Sequence, residues 1–105
     1  MPPDMKKPEY TAAIGLSGFI HGNEYRQMNQ NQKESYVTGV IDGLIFAFAV
    51  TKQTSSQKWL EECIKGMPVD QLTAMVTKYI TNNPESSQLT ANRLVFNALV
   101  NLRNK

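Results

Sequence analysis

"YVTGVIDGLIFAFAV", Tyr36 to Val50, decides the fold. Val37, Val40, Ile41, Leu44 and Phe48 recur at the i, i+3, i+4 spacing of one helical face, while Ser35, Thr38 and Asp42 line a polar stripe beside it. After Gly43 every residue to Val50 is apolar. The run is shorter than the ~20 residues that cross a bilayer. It therefore predicts a central bundle helix that begins near Asn31, amphipathic in its first half and buried all round in its second. Gly39, Gly43 and Ala47 recur every four residues, so one side has almost no side chain and a neighbouring helix is expected to cross it closely. On that expectation Gly43→Leu overpacks the crossing at a cost of roughly 1 to 3 kcal/mol. Asp42 is expected to be a structural acceptor at the edge of the apolar face, not a general acid or base.

On either side of this helix the chain is punctuated by helix starts and stops. Residues 1 to 9 hold three prolines and several charges and are expected to form a flexible N-terminal arm, with residues 10 to 105 as one domain. Gly15, Gly18 and Gly22 permit only short helix from Tyr10 to His21, and "GNEYRQM" predicts a short helical segment opening near Gly22. "TSSQKWLEECIKG" predicts a helix with Ser55 or Ser56 as cap, Trp59, Leu60, Cys63 and Ile64 on one face, and Gly66 as its stop. The next helix opens near Pro68 to Asp70 and carries Leu72, Met75, Val76, Tyr79 and Ile80 as its stripe. Pro84 ends it and is expected to open a last helix running to about Arg103, with Asn83 as cap. The apolar residues of that helix fall on two faces: Ala91, Leu94, Val95, Ala98 and Leu102 on one, and Leu89, Phe96 and Val100 on the other. The second set is the candidate dimer face. With no strand signal, the fold class is all-α: a single small domain of four to five helices in a compact bundle.

Composition narrows the function. Eleven Lys and Arg stand against nine Asp and Glu, and part of the small basic excess lies at the two ends, so no clustered basic face for nucleic acid is expected. The opening "MPPDMKKPEY" has a basic pair but no apolar stretch after it, so it does not have the pattern of a secretory signal. A single cysteine, Cys63, leaves no internal disulfide and no multi-cysteine zinc site.

Catalytic chemistry finds little support. Cys63 sits on the apolar stripe between Trp59 and Met67, where a thiol is buried and inert, and His21 lies beside Gly22 as a surface or capping residue. Glu61 and Glu62 have no histidine near them in sequence and are expected to be solvated charges. No catalytic residue, metal ligand or cofactor is expected.

"YVTGVIDGL" and "CIKGMPVDQLTAMVTKYITNNPESSQLTANRLVFNAL" together carry a resemblance. Tyr36, Gly39 and Asp42 in the central helix, Cys63 ahead of the Pro68 turn, Gln71 and Leu72, Lys78 and Tyr79, Asn83 to Glu85, then Ala91, Leu94, Val95 and Ala98 resemble the Rap1a/Tai family of immunity proteins from about Gly22 to Leu102. Members are small all-helical periplasmic proteins that block peptidoglycan amidase toxins of type VI secretion systems, commonly as dimers. The resemblance implies a non-enzymatic inhibitor that occludes the toxin's cleft, a periplasmic location, a homodimer and no membrane insertion. Family members often hold paired cysteines, whereas this chain has Cys63 alone.

Two loops are expected to project: "TKQTSSQ" (Thr51, Lys52, Gln53, Thr54, Ser55, Ser56 and Gln57), the candidate toxin contact, and "TNNPESSQ", Thr81 to Gln88. The rival reading is a stand-alone periplasmic helical domain with a structural or chaperone-like role and no toxin.

Overall fold

A computed structural model of the chain describes residues 19–103. The expected N-terminal arm and most of the segment from Tyr10 to His21 lie outside the described residues. Those described form five α-helices and no strand: α1 (Gly22–Arg26), α2 (Gln30–Val50), α3 (Thr54–Ile64), α4 (Val69–Asn82) and α5 (Ala91–Arg103), with a 3-10 turn at Pro84–Ser86. This is the all-α bundle expected from the periodicity.

Local signals set most boundaries. Asn29 and Gln32 close a reciprocal capping box at the start of α2: the Gln32 N–H donates to Asn29 Oδ1 and the Asn29 N–H to Gln32 Oε1, both at 2.9 Å. Gly66 follows α3 at φ 76°, the left-handed conformation that favours glycine, and stops the helix as expected. α4 starts after Pro68, whose extended backbone turns the chain into it.

Three expectations about helix ends and faces need correction. The cap of α3 is Gln53, not Ser55 or Ser56, because Thr54 to Gln57 already form its first turn, with Gln57 N–H bonded to the Gln53 carbonyl at 3.0 Å. The last helix does not run from Pro84. Asn83 turns its amide back onto the Tyr79 carbonyl at 2.7 Å, closing α4 rather than opening a successor, and Pro84–Ser86 form only a 3-10 turn. Ser87 to Ala91 is held elsewhere: Gly22 N–H donates to the Leu89 carbonyl, Asn23 N–H to the Ser87 carbonyl, and Ala91 N–H to the Ile20 carbonyl at 2.6 Å. A helix from Pro84 would have to break this seam.

The third correction concerns α2. Its second half is not buried all round: Phe46 is 69% and Val50 58% exposed. Nor does any helix among the described residues cross its glycines, since a Cβ built at Gly39 or Gly43 meets nothing within 4 Å there. The reason is geometric. α2 lies at the bundle surface, and α3, α4 and α5 cover only the stripe that holds Val37, Ile41, Leu44 and Phe48. The expected destabilisation by Gly43→Leu therefore does not apply to the isolated fold. Asp42, expected to accept from a neighbouring helix end, is exposed and accepts no hydrogen bond among the described residues.

The core is one cluster: Tyr25 from α1, Val37 and Ile41 from α2, Leu60 and Cys63 from α3, Leu72, Val76 and Ile80 from α4, and Ala91, Leu94, Val95, Ala98 and Leu99 from α5. Tyr25 is fully buried with its hydroxyl 2.9 Å from Thr77 Oγ1, so its polar end is satisfied inside the protein.

The seam between Gly22 and Ser87 admits no side chain. A Cβ at Gly22 would stand 2.8 Å from Leu94 Cδ1 and 2.9 Å from the Ser87 carbonyl oxygen, and the carbonyl is backbone fixed by its own hydrogen bond. Gly22→Ala is expected to lower unfolding free energy by about 1 to 3 kcal/mol. Urea denaturation checks this, and an unchanged midpoint would show that the seam yields freely.

Candidate functional site

The candidate site lies where the end of α2, the start of α3 and the outer side of α5 meet. Leu44 and Phe48 from α2, Trp59 from α3, and Phe96 and Val100 from α5 wall an apolar groove of about 560 Å³, rimmed by Gln53, Ser55 and Ser56. The Trp59 and Phe96 rings lie 5.6 Å apart, tilted by 55°, and form its aromatic floor. Phe96 remains 37% exposed, although the helix that bears it is otherwise buried on its opposite face.

A short braced turn forms one lip. Of the expected Thr51 to Gln57 loop, only Thr51, Lys52 and Gln53 lie outside helix; Thr54, Ser55, Ser56 and Gln57 belong to α3. Thr51 Oγ1 donates to the Ala47 carbonyl at 2.6 Å, the Gln53 N–H donates to the Phe48 carbonyl at 2.9 Å, and Gln53 Nε2 reaches Thr51 Oγ1 at 3.2 Å. These bonds hold Lys52 at φ 58°, the left-handed region, where it is the one non-glycine residue among those described. Such strain persists only where the surroundings over-determine the backbone. The Ser55 and Ser56 hydroxyls make no hydrogen bond among the described residues, which leaves them free for an incoming group.

The structure thus brings together parts of two sets that the sequence kept apart. Gln53, Ser55 and Ser56 of the candidate contact loop share one groove with Phe96 and Val100 of the candidate dimer face. Leu89 stands apart, half-buried ahead of α5 and tied through its carbonyl to Gly22. Trp59, Leu44 and Phe48 were missed as site residues. Periodicity placed them on apolar stripes, and only tertiary packing shows that these positions lie at the bundle's edge. The second expected projection, Thr81 to Gln88, does not project freely: Arg26 Nη1 donates to Ser87 Oγ at 3.1 Å and the Ser87 carbonyl takes the Asn23 N–H.

No nucleophile is assembled from the residues considered for it. Cys63 is buried in the core, and burial pushes its thiol up against a weaker opposing pull from Arg103. His21 precedes α1 at the surface, its N–H on Glu24 Oε1 at 2.7 Å and its Nδ1 3.4 Å from the same oxygen. That backbone bond, above all, holds the Glu24 carboxyl below its usual range. No hydrogen bond joins Cys63 to His21. Among the described residues no three His, Cys, Asp or Glu side chains converge as metal ligands, and no helix is long and apolar enough to cross a membrane.

Two tyrosines beside this framework titrate outside the physiological range. Burial pushes the Tyr36 phenol up to about 12, against a weaker pull from the Asn92 backbone, and raises Tyr25 against its bond to Thr77. A folded-state pKa above the unfolded value means that these groups stabilise the fold fully below pH ~10. That contribution is lost as pH rises through the unfolded value toward the folded one. Ultraviolet titration of phenolate is expected to show Tyr25 and Tyr36 ionising late and together with unfolding. Ionisation of these two at the ordinary value with the fold intact would contradict the burial.

Comparison with known proteins gives one result. The family model described as Rap1a immunity proteins matches residues 15–102. No curated protein and no solved structure matches the chain.

Proposed function

The chain belongs to the Rap1a immunity protein family, and from that premise we propose that it neutralises a toxic effector by binding it through the Trp59–Phe96 groove. The effector in this reading is a peptidoglycan amidase delivered by a type VI secretion system, and the chain meets it in the periplasm as a homodimer. The observation that carries the reading is the groove itself: three aromatic and two aliphatic side chains that line an open groove beside a braced, strained lip. Aromatic side chains in a pocket, surrounded by polar groups that exclude water, are the anatomy of an interaction hot spot. A groove of this size accommodates one or two side chains of a projecting loop.

An inhibitor of this kind needs no chemistry of its own. It must present a surface already in its bound shape, because each side chain ordered on binding weakens the complex. The hydrogen bonds from Thr51 and Gln53 to the end of α2 fix the lip in advance, and the free Ser55 and Ser56 hydroxyls supply donors and acceptors at the rim. Lys52 carries a charge on the lip that is unpaired among the described residues and suits a carboxylate near the effector's cleft.

The test uses purified amidase effectors of type VI systems from the source organism. One of them is expected to bind the immobilised chain stably and to stop cleaving peptidoglycan when the chain is added. Failure of every such amidase to bind, with the chain folded, would overturn the amidase reading.

A further inference from the structure

The outer face of α2 is an apolar feature that the groove leaves unused. Phe46 and Val50, the two most exposed large apolar side chains among the described residues, lie on the same side of α2 as Gly39 and Gly43. Both glycines are open among the described residues, with nothing within 4 Å of a built Cβ. The face therefore has a bare backbone floor and two projecting apolar groups.

Its two flanks carry opposite charge. On one side Glu34 and Asp42 border a shallow concavity shared with Val69 at the start of α4. On the other, Arg93 borders a concavity shared with Val40, Gly43 and Leu44, at the level of Asp42. Among the described residues the Asp42 carboxylate has no partner, and Arg93 makes no side-chain hydrogen bond or ion pair, its bond to Asn92 Oδ1 coming from the backbone N–H.

We propose that this face docks a second copy of the chain about a two-fold axis running along α2, so that the two α2 helices pair in parallel with their glycines at the crossing. The inference rests on the homodimer in the reading above and names its surface, on α2 rather than at Leu89, Phe96 and Val100. Charge decides the orientation. A half-turn about an axis along the helix carries the acidic flank of one copy onto the Arg93 flank of the other, so Asp42 meets Arg93 of the partner subunit twice, once on each side. An antiparallel pairing would set acid against acid and arginine against arginine, which costs affinity. In the parallel pairing Gly39 and Gly43 allow the backbones to approach, and Phe46 and Val50 pack against their own counterparts one turn on. Trp59 and Val100, which do not border the Arg93 concavity, then remain free for the effector, whereas Phe96 borders both.

Sedimentation equilibrium of the chain alone tests this. The expected mass is twice the 11.8 kDa of the monomer. Asp42→Arg and Arg93→Asp are each expected to raise the dimer dissociation constant by about tenfold or more. An equimolar mixture of the two variants is expected to dimerise again, because one chain then carries two basic and the other two acidic groups at the contact. Gly43→Leu is expected to abolish the dimer without lowering the melting temperature of the monomer, since a Cβ there meets nothing within 4 Å among the described residues and leucine is the better helix former. A monomer at every concentration would overturn the proposal, as would a dimer that none of these variants weakens or a mixture that stays dissociated. The measurement needs no effector, so its failure leaves the groove reading untouched.

Discussion

Leu94→Ala is expected to lower the free energy of unfolding by about 2 to 5 kcal/mol. Leu94 is fully buried on α5, and its Cδ1 lies against Gly22, the point at which the chain enters α1. Truncation removes the transfer free energy of the buried carbons and leaves a cavity whose walls are poorly placed to close. One wall is the Gly22 backbone, pinned to the Leu89 carbonyl at 2.9 Å; Val95, Ala98 and Leu99 flank the site on the same helix. Against a total stability of about 5 to 15 kcal/mol for a domain of this size, that is a large fraction. Thermal unfolding is expected to move down by at least about 10 °C. A shift of only a degree or two would mean that the α1–α5 contact is not part of the cooperative core.

Trp59→Ala is expected to weaken effector binding by about 2 to 4 kcal/mol, or roughly 30- to 1,000-fold. The indole forms the groove floor with Phe96 and is only partly buried in the free chain, so part of its apolar surface is still to be covered on binding. Truncation leaves Phe96 without its ring contact and opens the floor to water. Trp59→Phe keeps an aromatic ring at the same place and is expected to retain most of the affinity. Titration calorimetry against the bound effector, with melting curves of each variant, separates the two roles. Lost affinity in a folded Trp59→Ala chain supports the groove. Full affinity in that chain would place the contact elsewhere.

What was legible in the sequence follows from how local each determinant is. The helices were legible because periodicity and their end signals act within a few residues: Gly66 and Pro84 stop helices in the structure as expected, whereas the Asn29–Gln32 cap was not read from the sequence. The core faces of α4 and α5 were likewise legible, with Leu72, Val76, Ile80, Ala91, Leu94, Val95 and Ala98 buried. Leu99, also fully buried, was not assigned to a face.

The failures share one cause, since each turned on what lay opposite in space. The run from Leu44 to Val50 is apolar throughout, but only Leu44, Ile45 and Phe48 meet the core, and no composition rule distinguishes them from Phe46. Pro84, Glu85 and Ser86 suit a helix start equally well as the 3-10 turn they form; the residues at Ile20 to Asn23 that capture Ser87 to Ala91 decided the outcome from more than 60 positions away. The site was half legible for the same reason. Two apolar faces on α5 announced Phe96 and Val100, and loop chemistry announced Gln53, Ser55 and Ser56. Their convergence with Trp59 in one groove depends on how α3 packs across α2 and α5.

The central proposal is that the chain silences a peptidoglycan amidase by binding it through this groove. Titrating the chain into the purified amidase while following peptidoglycan cleavage tests it most directly. Activity is expected to fall linearly to zero at one chain per amidase, and to persist when Trp59→Ala replaces the native chain at the same concentration. Cleavage that continues undiminished with excess native chain bound, or that stops equally well with the folded Trp59→Ala variant, would contradict the account.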